Sequence, residues 1–153
     1  MDKLDRLYSR AFDSGINITE GKFSKTKKAV CLGGEPYKNV IIDTPSISSR
    51  AEEVEILAEE MGHYETGALY VIQSTHNTPI ALSNRRKYEA QAKRWAVKFC
   101  LSVSEIERAI HETLGDEYLA AEYCQVTVEL FRKAVEYYQS TGVDFRYNPD
   151  CPV

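Results

Sequence analysis

The sequence predicts an α+β fold: a mostly helical single domain with a small antiparallel sheet near the N-terminus and a helical C-terminal part. Two observations lead to this prediction. Short runs rich in β-branched residues are confined to residues 15–43, where Gly and Pro residues separate them. Apolar residues instead recur at helical spacing in residues 2–14 and from residue 49 onward.

The length and composition are those of an ordinary globular domain. The chain has 153 residues, of which 43% are hydrophobic and 27% charged, so it is long enough to bury a core. We expect one domain over residues 1–142, with subregions 1–100 and 101–142, followed by an irregular tail over residues 143–153.

The charge and the cysteines exclude several classes of protein. A formal net charge of −4 argues against a general nucleic-acid or anionic-membrane binder, because such a protein needs a basic face. No apolar run approaches the length of a membrane span, and the charged start of the chain does not look like a secretion signal. Without Cys-x-x-Cys spacing we expect free thiols and a cytoplasmic protein; the cysteines are Cys31, Cys100, Cys124 and Cys151.

The N-terminal elements follow from local patterns. A helical stripe over residues 2–14 stops at Ser14-Gly15. Three runs then have strand character: residues 15–19, 28–32 and 39–43. The last two are separated by about six residues that include Gly33-Gly34, which predicts a hairpin and hence an antiparallel sheet.

Two helices follow the predicted sheet. Ser49 and Glu52 form a capping box, which predicts a helix from there to about His63 with its apolar stripe on Val54, Leu57, Ala58 and Met61. The polar residues 64–83 predict a loop. A second helix is predicted from about Asn84 to Phe99, with Glu89 as its only acidic residue among five cations.

The C-terminal part is predicted to be helical. One helix begins near Ser102 or Ser104 and reaches about Thr113, and a pair of helices over residues 117–123 and 128–139 resembles a helix-turn-helix. DNA binding is one interpretation of this pair. Glu129 and Glu136 offset Arg132 and Lys133 on the second helix, so structural packing is the favoured interpretation.

The spacing of Glu59, Glu60 and His63 suggests metal chemistry. Residues four apart on a helix share a face, so Glu59 and His63 could reach one metal ion together. Glu60 is turned by about 100° from Glu59 and could flank the metal as a general base. The alternative is a solvated helix end with a capping histidine, because Glu-Glu followed by His is common on charged helices.

The order of these parts resembles the ImmA/IrrE-type metallopeptidases of phages and mobile elements. That family has an N-terminal helix, a small sheet, a His-Glu-x-x-His helix and a second helix with Glu-x-x-Ala-x-x-aromatic-Ala. The last motif matches residues 89–96, Glu-Ala-Gln-Ala-Lys-Arg-Trp-Ala. Residues 58–63, Ala-Glu-Glu-Met-Gly-His, are similar to a phage-borne branch with Glu at the first ligand position. The resemblance covers roughly residues 1–142.

The resemblance implies a zincin-like fold and a site. It implies His63 and Glu89 as metal ligands, Glu59 in the place of the missing histidine, and Glu60 as the catalytic base. The metal would be zinc, although a site with two carboxylates should tolerate manganese or magnesium better than a two-histidine site. His76 is a further candidate ligand, and the candidates for oxyanion donors are Tyr64 and Tyr70.

The resemblance also implies a function. The chain is expected to be a metal-dependent endopeptidase that cleaves a cognate protein, namely a helix-turn-helix repressor of a phage or mobile element, without contacting nucleic acid itself. The alternative is a catalytically weak or inactive protein that regulates a repressor by binding. A third hypothesis, a DNA-binding regulator that uses residues 117–139, conflicts with the acidic balance of the chain.

Overall fold

A computed structural model describes residues 2–23, 26–67 and 78–146 of the chain. It shows a mixed α+β fold, which confirms the predicted class. In chain order the elements are α1 (Lys3–Asp13), β1 (Ile16–Glu20), β2 (Ala29–Leu32), β3 (Lys38–Ile42), a 3₁₀ turn (Thr44–Ser46), α2 (Arg50–Glu65), α3 (Pro79–Cys100), α4 (Val103–Glu112), α5 (Glu117–Tyr123) and α6 (Val128–Ser140). The chain divides into two compact units, Met1–Ala96 and Val97–Val153.

The sheet is mixed, so the prediction of an antiparallel sheet is wrong for one of its two pairings. β2 and β3 form the predicted antiparallel hairpin, with Ala29 opposite Ile42. β1 instead pairs with β3 in parallel, with Ile16 opposite Lys38, and the strand order is β1-β3-β2. Alternation of side chains specifies which face of a strand is buried but not the direction of its neighbour, because the period of two is the same in both pairings.

Helix α2 holds the first unit together through its buried apolar face. Its predicted stripe is confirmed, since Val54, Leu57, Ala58 and Met61 are all buried. Helix α1 is tied to the C-terminal end of α2 by an ion pair, in which the Arg10 Nε and Nη2 atoms donate to the two carboxylate oxygens of Glu65 at 2.9 and 2.6 Å. The C-terminal end of α2 is therefore fixed from a second element.

Helix α3 begins five residues earlier than predicted. The sequence signals around Pro79 suggest a loop up to Ser83, but residues 79–83 are helical. The Thr78 Oγ1 atom accepts a hydrogen bond from the Ala81 amide at 3.2 Å, so Thr78 caps the helix. Proline in the first turn is favourable because its missing N–H would have no helical partner there.

The second unit consists of short helices around a small apolar core. Ile106 and Ala109 of α4 are buried, as are Ala120 and Ala121 of α5 and Leu130, Phe131 and Ala134 of α6. The Tyr138 hydroxyl donates to the Leu101 carbonyl at 2.8 Å and fixes the end of α6. Residues 143–146 are irregular. Across the described ranges, no helix is long and apolar enough to cross a membrane.

Candidate metal site at the contact of α2 and α3

Gly62 brings α2 and α3 into backbone contact. A Cβ atom added at this residue would lie 2.5 Å from the Ala92 carbonyl oxygen and 3.0 Å from its carbonyl carbon. Only glycine permits this approach, because its neighbour is backbone that cannot rotate away. The contact places the next residue of α2, His63, beside the residue one turn earlier on α3, Glu89.

The imidazole of His63 is buried and faces this carboxylate. His63 is 7% exposed, and its Nε2 atom lies 3.8 Å from the Glu89 Oε2 atom, while the Glu89 side chain is 41% exposed. A distance of 3.8 Å is too long for a hydrogen bond. Two ligands of one tetrahedral zinc ion lie about 3.4 Å apart, given bonds of about 2.1 Å. The spacing is within the range of an ion pair, and it is also close to that of two ligands of one ion.

The second ring nitrogen of His63, the buried Nδ1 atom, has no hydrogen-bond partner among the residues that the structure describes. Buried polar atoms are partnered in the great majority of cases, and an exception calls for an explanation such as a missing ion or water. This ring therefore has hydrogen-bonding or ligating capacity that the described protein atoms leave unused.

Strand β2 places Cys31 close to Glu60 and Glu89. Its Sγ atom donates to the Glu60 carbonyl oxygen at 3.0 Å. Burial raises the pKa of the Cys31 thiol, and the negative charges of Glu60 and Glu89 add to this rise. Two of the predicted site carboxylates are thus close enough to act on one buried sulfur. Nothing in the sequence singled out Cys31, because it looks like any apolar strand residue.

Glu59 and Glu60 line a cavity of about 270 Å³, and neither His63 nor Glu89 is part of its lining. Lys28 and Glu52 also line it, and they form an ion pair in which Nζ lies 2.6 Å from Oε1. Glu60 is common to the cavity and to the surroundings of Cys31. Glu59 belongs to the cavity, although its helical spacing from His63 allows both to share a face.

The donor set fits a metal ion only in part. His63 and Glu89 supply one nitrogen and one carboxylate at a suitable spacing, and these donors suit zinc. Over residues 2–23, 26–67 and 78–146, however, no group of three or more His, Cys, Asp or Glu side chains is arranged to hold a metal ion. The third ligand implied by the resemblance, Glu59, is not assembled with the other two.

Tyr64 is not available as an oxyanion donor. Its hydroxyl donates to the Leu32 carbonyl at 2.6 Å and accepts from the Asn39 amide at 2.9 Å, and the residue is buried. It therefore fastens the β2–β3 hairpin to α2. The other two candidates from the same region, Tyr70 and His76, lie outside the described residues.

The remaining sequence predictions concern thiols and the C-terminal helices. Cys31, Cys100 and Cys124 are buried and form no disulfide bond within the described part of the chain, and Cys151 lies outside it. On α6, Arg132 is paired with Glu117 and Lys133 with Glu129. These pairs leave little unbalanced positive charge for a phosphate backbone, which supports the packing interpretation of the helix pair over DNA binding.

Comparison with protein-family models, curated proteins and solved structures found no match to the chain.

Proposed function

We propose that the chain is a cytoplasmic metal-dependent endopeptidase of the zincin-like type. The observation that supports this most is the buried His63 imidazole at 3.8 Å from Glu89, with its other nitrogen unpartnered among the described residues. A stabilising role alone gives no reason to bury an imidazole in this way, because the unmet hydrogen bond costs about 1–3 kcal/mol. Metal binding through Nε2 would give the buried imidazole a function, and Nδ1 would then still need a partner of its own.

In this proposal His63 and Glu89 hold the ion, and Glu59 is the third donor. Zinc is the first candidate, with manganese or magnesium as alternatives for a donor set rich in carboxylates. A bound metal would supply Lewis-acid activation of water and of the peptide carbonyl. Glu59 would need to turn from the cavity toward His63, which its position one helical turn earlier permits.

Glu60 moves the proton in the proposed reaction. Its carboxylate takes a proton from the attacking water and returns it to the nitrogen of the departing amine. Glu60 lines an open cavity, and its charge also acts on the buried Cys31 sulfur. Glu60 therefore borders the cavity and acts on the same sulfur as Glu89, which supports the role proposed for it.

The proposed substrate is a protein, namely a helix-turn-helix repressor encoded beside the chain. The support for this substrate is the sequence resemblance, since the cavity itself is small and specifies no side chain. We test the proposal by measuring zinc, manganese and magnesium in the purified chain and the cleavage of that repressor. Glu60→Gln should retain metal and lose cleavage by about 10²–10⁴-fold. Glu55→Gln, the same change elsewhere on α2, should alter neither.

A second function is favoured by one specific observation. Among the described residues no three-donor group is arranged for a metal ion. A chain that keeps the architecture but binds its repressor without cutting it would need no such group. If the wild-type chain leaves the repressor intact but relieves repression, and Glu60→Gln does so equally well, the binding function replaces the peptidase.

A further inference from the structure

A cavity of about 410 Å³ opens in the second unit between α4, α5 and α6. Its apolar lining includes Ile110, Phe131 and Val135, and its polar lining includes Glu117, Arg132 and Glu136. The size is within the usual range of small-molecule sites and is ample for one bulky side chain. The mixture of an apolar floor and charged residues resembles a binding surface more than a packing defect.

Exposed aromatic and aliphatic side chains lie next to this cavity on α5. Tyr118, Leu119 and Tyr123 are 63%, 52% and 49% exposed. The Arg132 guanidinium lies 5.8 Å from the centroid of the Tyr118 ring and is also bonded to Glu117, which lines the cavity. Tyr118 is therefore joined to the lining of the cavity through Arg132. Clustered apolar exposure of this kind marks interaction sites in folded proteins.

The net charge of the second unit indicates the charge of its partner. Residues 97–153 contain five Lys and Arg residues and ten Asp and Glu residues, a net charge of −5. Three of those five cations are already paired: Arg132 with Glu117, Lys133 with Glu129 and Arg146 with Asp144. Electrostatic complementarity then favours a cationic partner, and Glu136 presents an acidic group at the cavity itself.

We infer that this α5–α6 surface, made of Tyr118, Phe131, Arg132, Val135 and Glu136, binds a basic protein segment that inserts one bulky apolar side chain into the cavity. The inference rests on the proposed function for the origin of the segment. A DNA-binding repressor carries a basic surface because it neutralises phosphates. The α5–α6 surface would hold such a protein by its basic face, whether or not the first unit then cleaves it.

The test measures binding of a fluorescent lysine-rich peptide with a single central phenylalanine to the full-length Glu60→Gln chain. EDTA is present, so that neither cleavage nor metal affects the result. Replacing the phenylalanine by serine, or the lysines by glutamates, should each weaken binding by about tenfold or more. Equal binding of the phenylalanine and serine peptides would overturn the cavity's role as an anchor site.

Matched variants locate the binding surface. Glu136→Lys should weaken binding about tenfold, whereas Glu107→Lys, an equal charge change at an exposed position of α4 away from the cavity, should leave it within about twofold. Equal effects of the two variants would mean that only net charge matters, and the inference would be wrong. A chain ending at Arg146 that binds much more tightly than the full chain would identify its own C-terminal residues as the occupant instead.

The two proposals can fail separately. Metal-dependent cleavage of the repressor without peptide binding would overturn only the α5–α6 surface. Peptide binding that Glu136→Lys weakens, in a chain that never cleaves the repressor, would overturn only the peptidase.

Discussion

The capping residues at the N-terminal end of helix α2 and His63 near its C-terminal end differ in how their polar groups are satisfied. At the N-terminal end the Ser49 Oγ atom accepts from the Glu52 amide at 3.1 Å, and the Glu52 carboxylate accepts from the Ser48 amide and from Lys28. At the C-terminal end, His63 is buried with an unpartnered Nδ1 atom and a carboxylate at 3.8 Å, as judged over the described residues.

Stability of the fold explains the capping contacts at the N-terminal end of α2 but not the burial of His63. The contacts of Ser49 and Glu52 are those that any helix needs to satisfy its first amides. The burial of His63 satisfies no such requirement, since its cost of about 1–3 kcal/mol is not repaid by a hydrogen bond to Nδ1. We therefore treat the C-terminal end of α2 as the functional end, and the comparison can be tested by variants at each end.

The largest effect is expected for Gly62→Ala. The new methyl group would meet the Ala92 carbonyl oxygen at 2.5 Å, so α2 and α3 must separate. Alanine is a better helix former by up to about 1 kcal/mol, but overpacking against backbone costs more, and we expect the free energy of unfolding to fall by about 2 kcal/mol. Urea unfolding measures this loss. Metal binding should weaken too, because the His63–Glu89 spacing depends on the same contact.

A control on the exposed side of α3 completes this test. Ala90→Gly changes helix propensity by about 1 kcal/mol without altering a close contact, and it should leave metal binding unchanged. A Gly62→Ala chain as stable as the wild type would show that the two helices are not held at this distance.

Intermediate changes in the free energy of unfolding, of opposite sign, are expected when the side chains of His63 and Ser49 are replaced by apolar ones. In the metal-free chain His63→Leu should raise the free energy of unfolding by about 1 kcal/mol, because an apolar side chain leaves no buried nitrogen unpartnered. Ser49→Ala should lower it by about 1 kcal/mol through loss of the cap. Added zinc should stabilise the wild type and Ser49→Ala but not His63→Leu. Destabilisation by His63→Leu would assign the imidazole a structural role.

The structural features that could be predicted from the sequence are those that depend on local patterns. The capping serine and the stripe on Val54, Leu57, Ala58 and Met61 follow from helical spacing, and the hairpin of β2 and β3 follows from its glycine-containing loop. These features depend on residues that are neighbours along the chain, so an inspection of the sequence can recover them.

Features that depend on distant residues were not predictable in the same way. The parallel pairing of β1 with β3 is set by the tertiary fold, because alternation carries no direction. The hydrogen bond from Cys31 to Glu60 and the backbone contact of Gly62 with Ala92 join residues about thirty positions apart. The same limit applies to the proposed metal ligands. A shared helix face brings the Cβ atoms of Glu59 and His63 close together, but it does not fix where the carboxylate and the imidazole point.

The smallest effect is expected from titration of Glu52, at the satisfied end of α2. A hydrogen bond from Lys28, together with those from Ser48, lowers the pKa of Glu52 from 4.5 to about 2. A carboxyl whose pKa is lower in the folded chain stabilises the fold above its unfolded pKa, and this contribution is lost as the pH falls from about 4.5 toward 2. The ion pair is near the surface, so the contribution should stay below about 1 kcal/mol.

The measurement is the difference in free energy of unfolding between the wild type and Glu52→Gln, followed by urea unfolding as the pH is lowered. The difference should be constant above pH 4.5 and shrink below it, while the other carboxyl groups cancel because both chains contain them. In a Lys28→Met background this pH dependence should become smaller, because the largest of the causes that lower the pKa of Glu52 is gone while the hydrogen bonds from Ser48 remain. If the free energies of unfolding of the two chains fall in parallel down to pH 2, the ionised Glu52 carboxylate is not stabilised by Lys28 and Ser48. The N-terminal end of α2 would then have no stabilising ion pair to distinguish it from the end at His63.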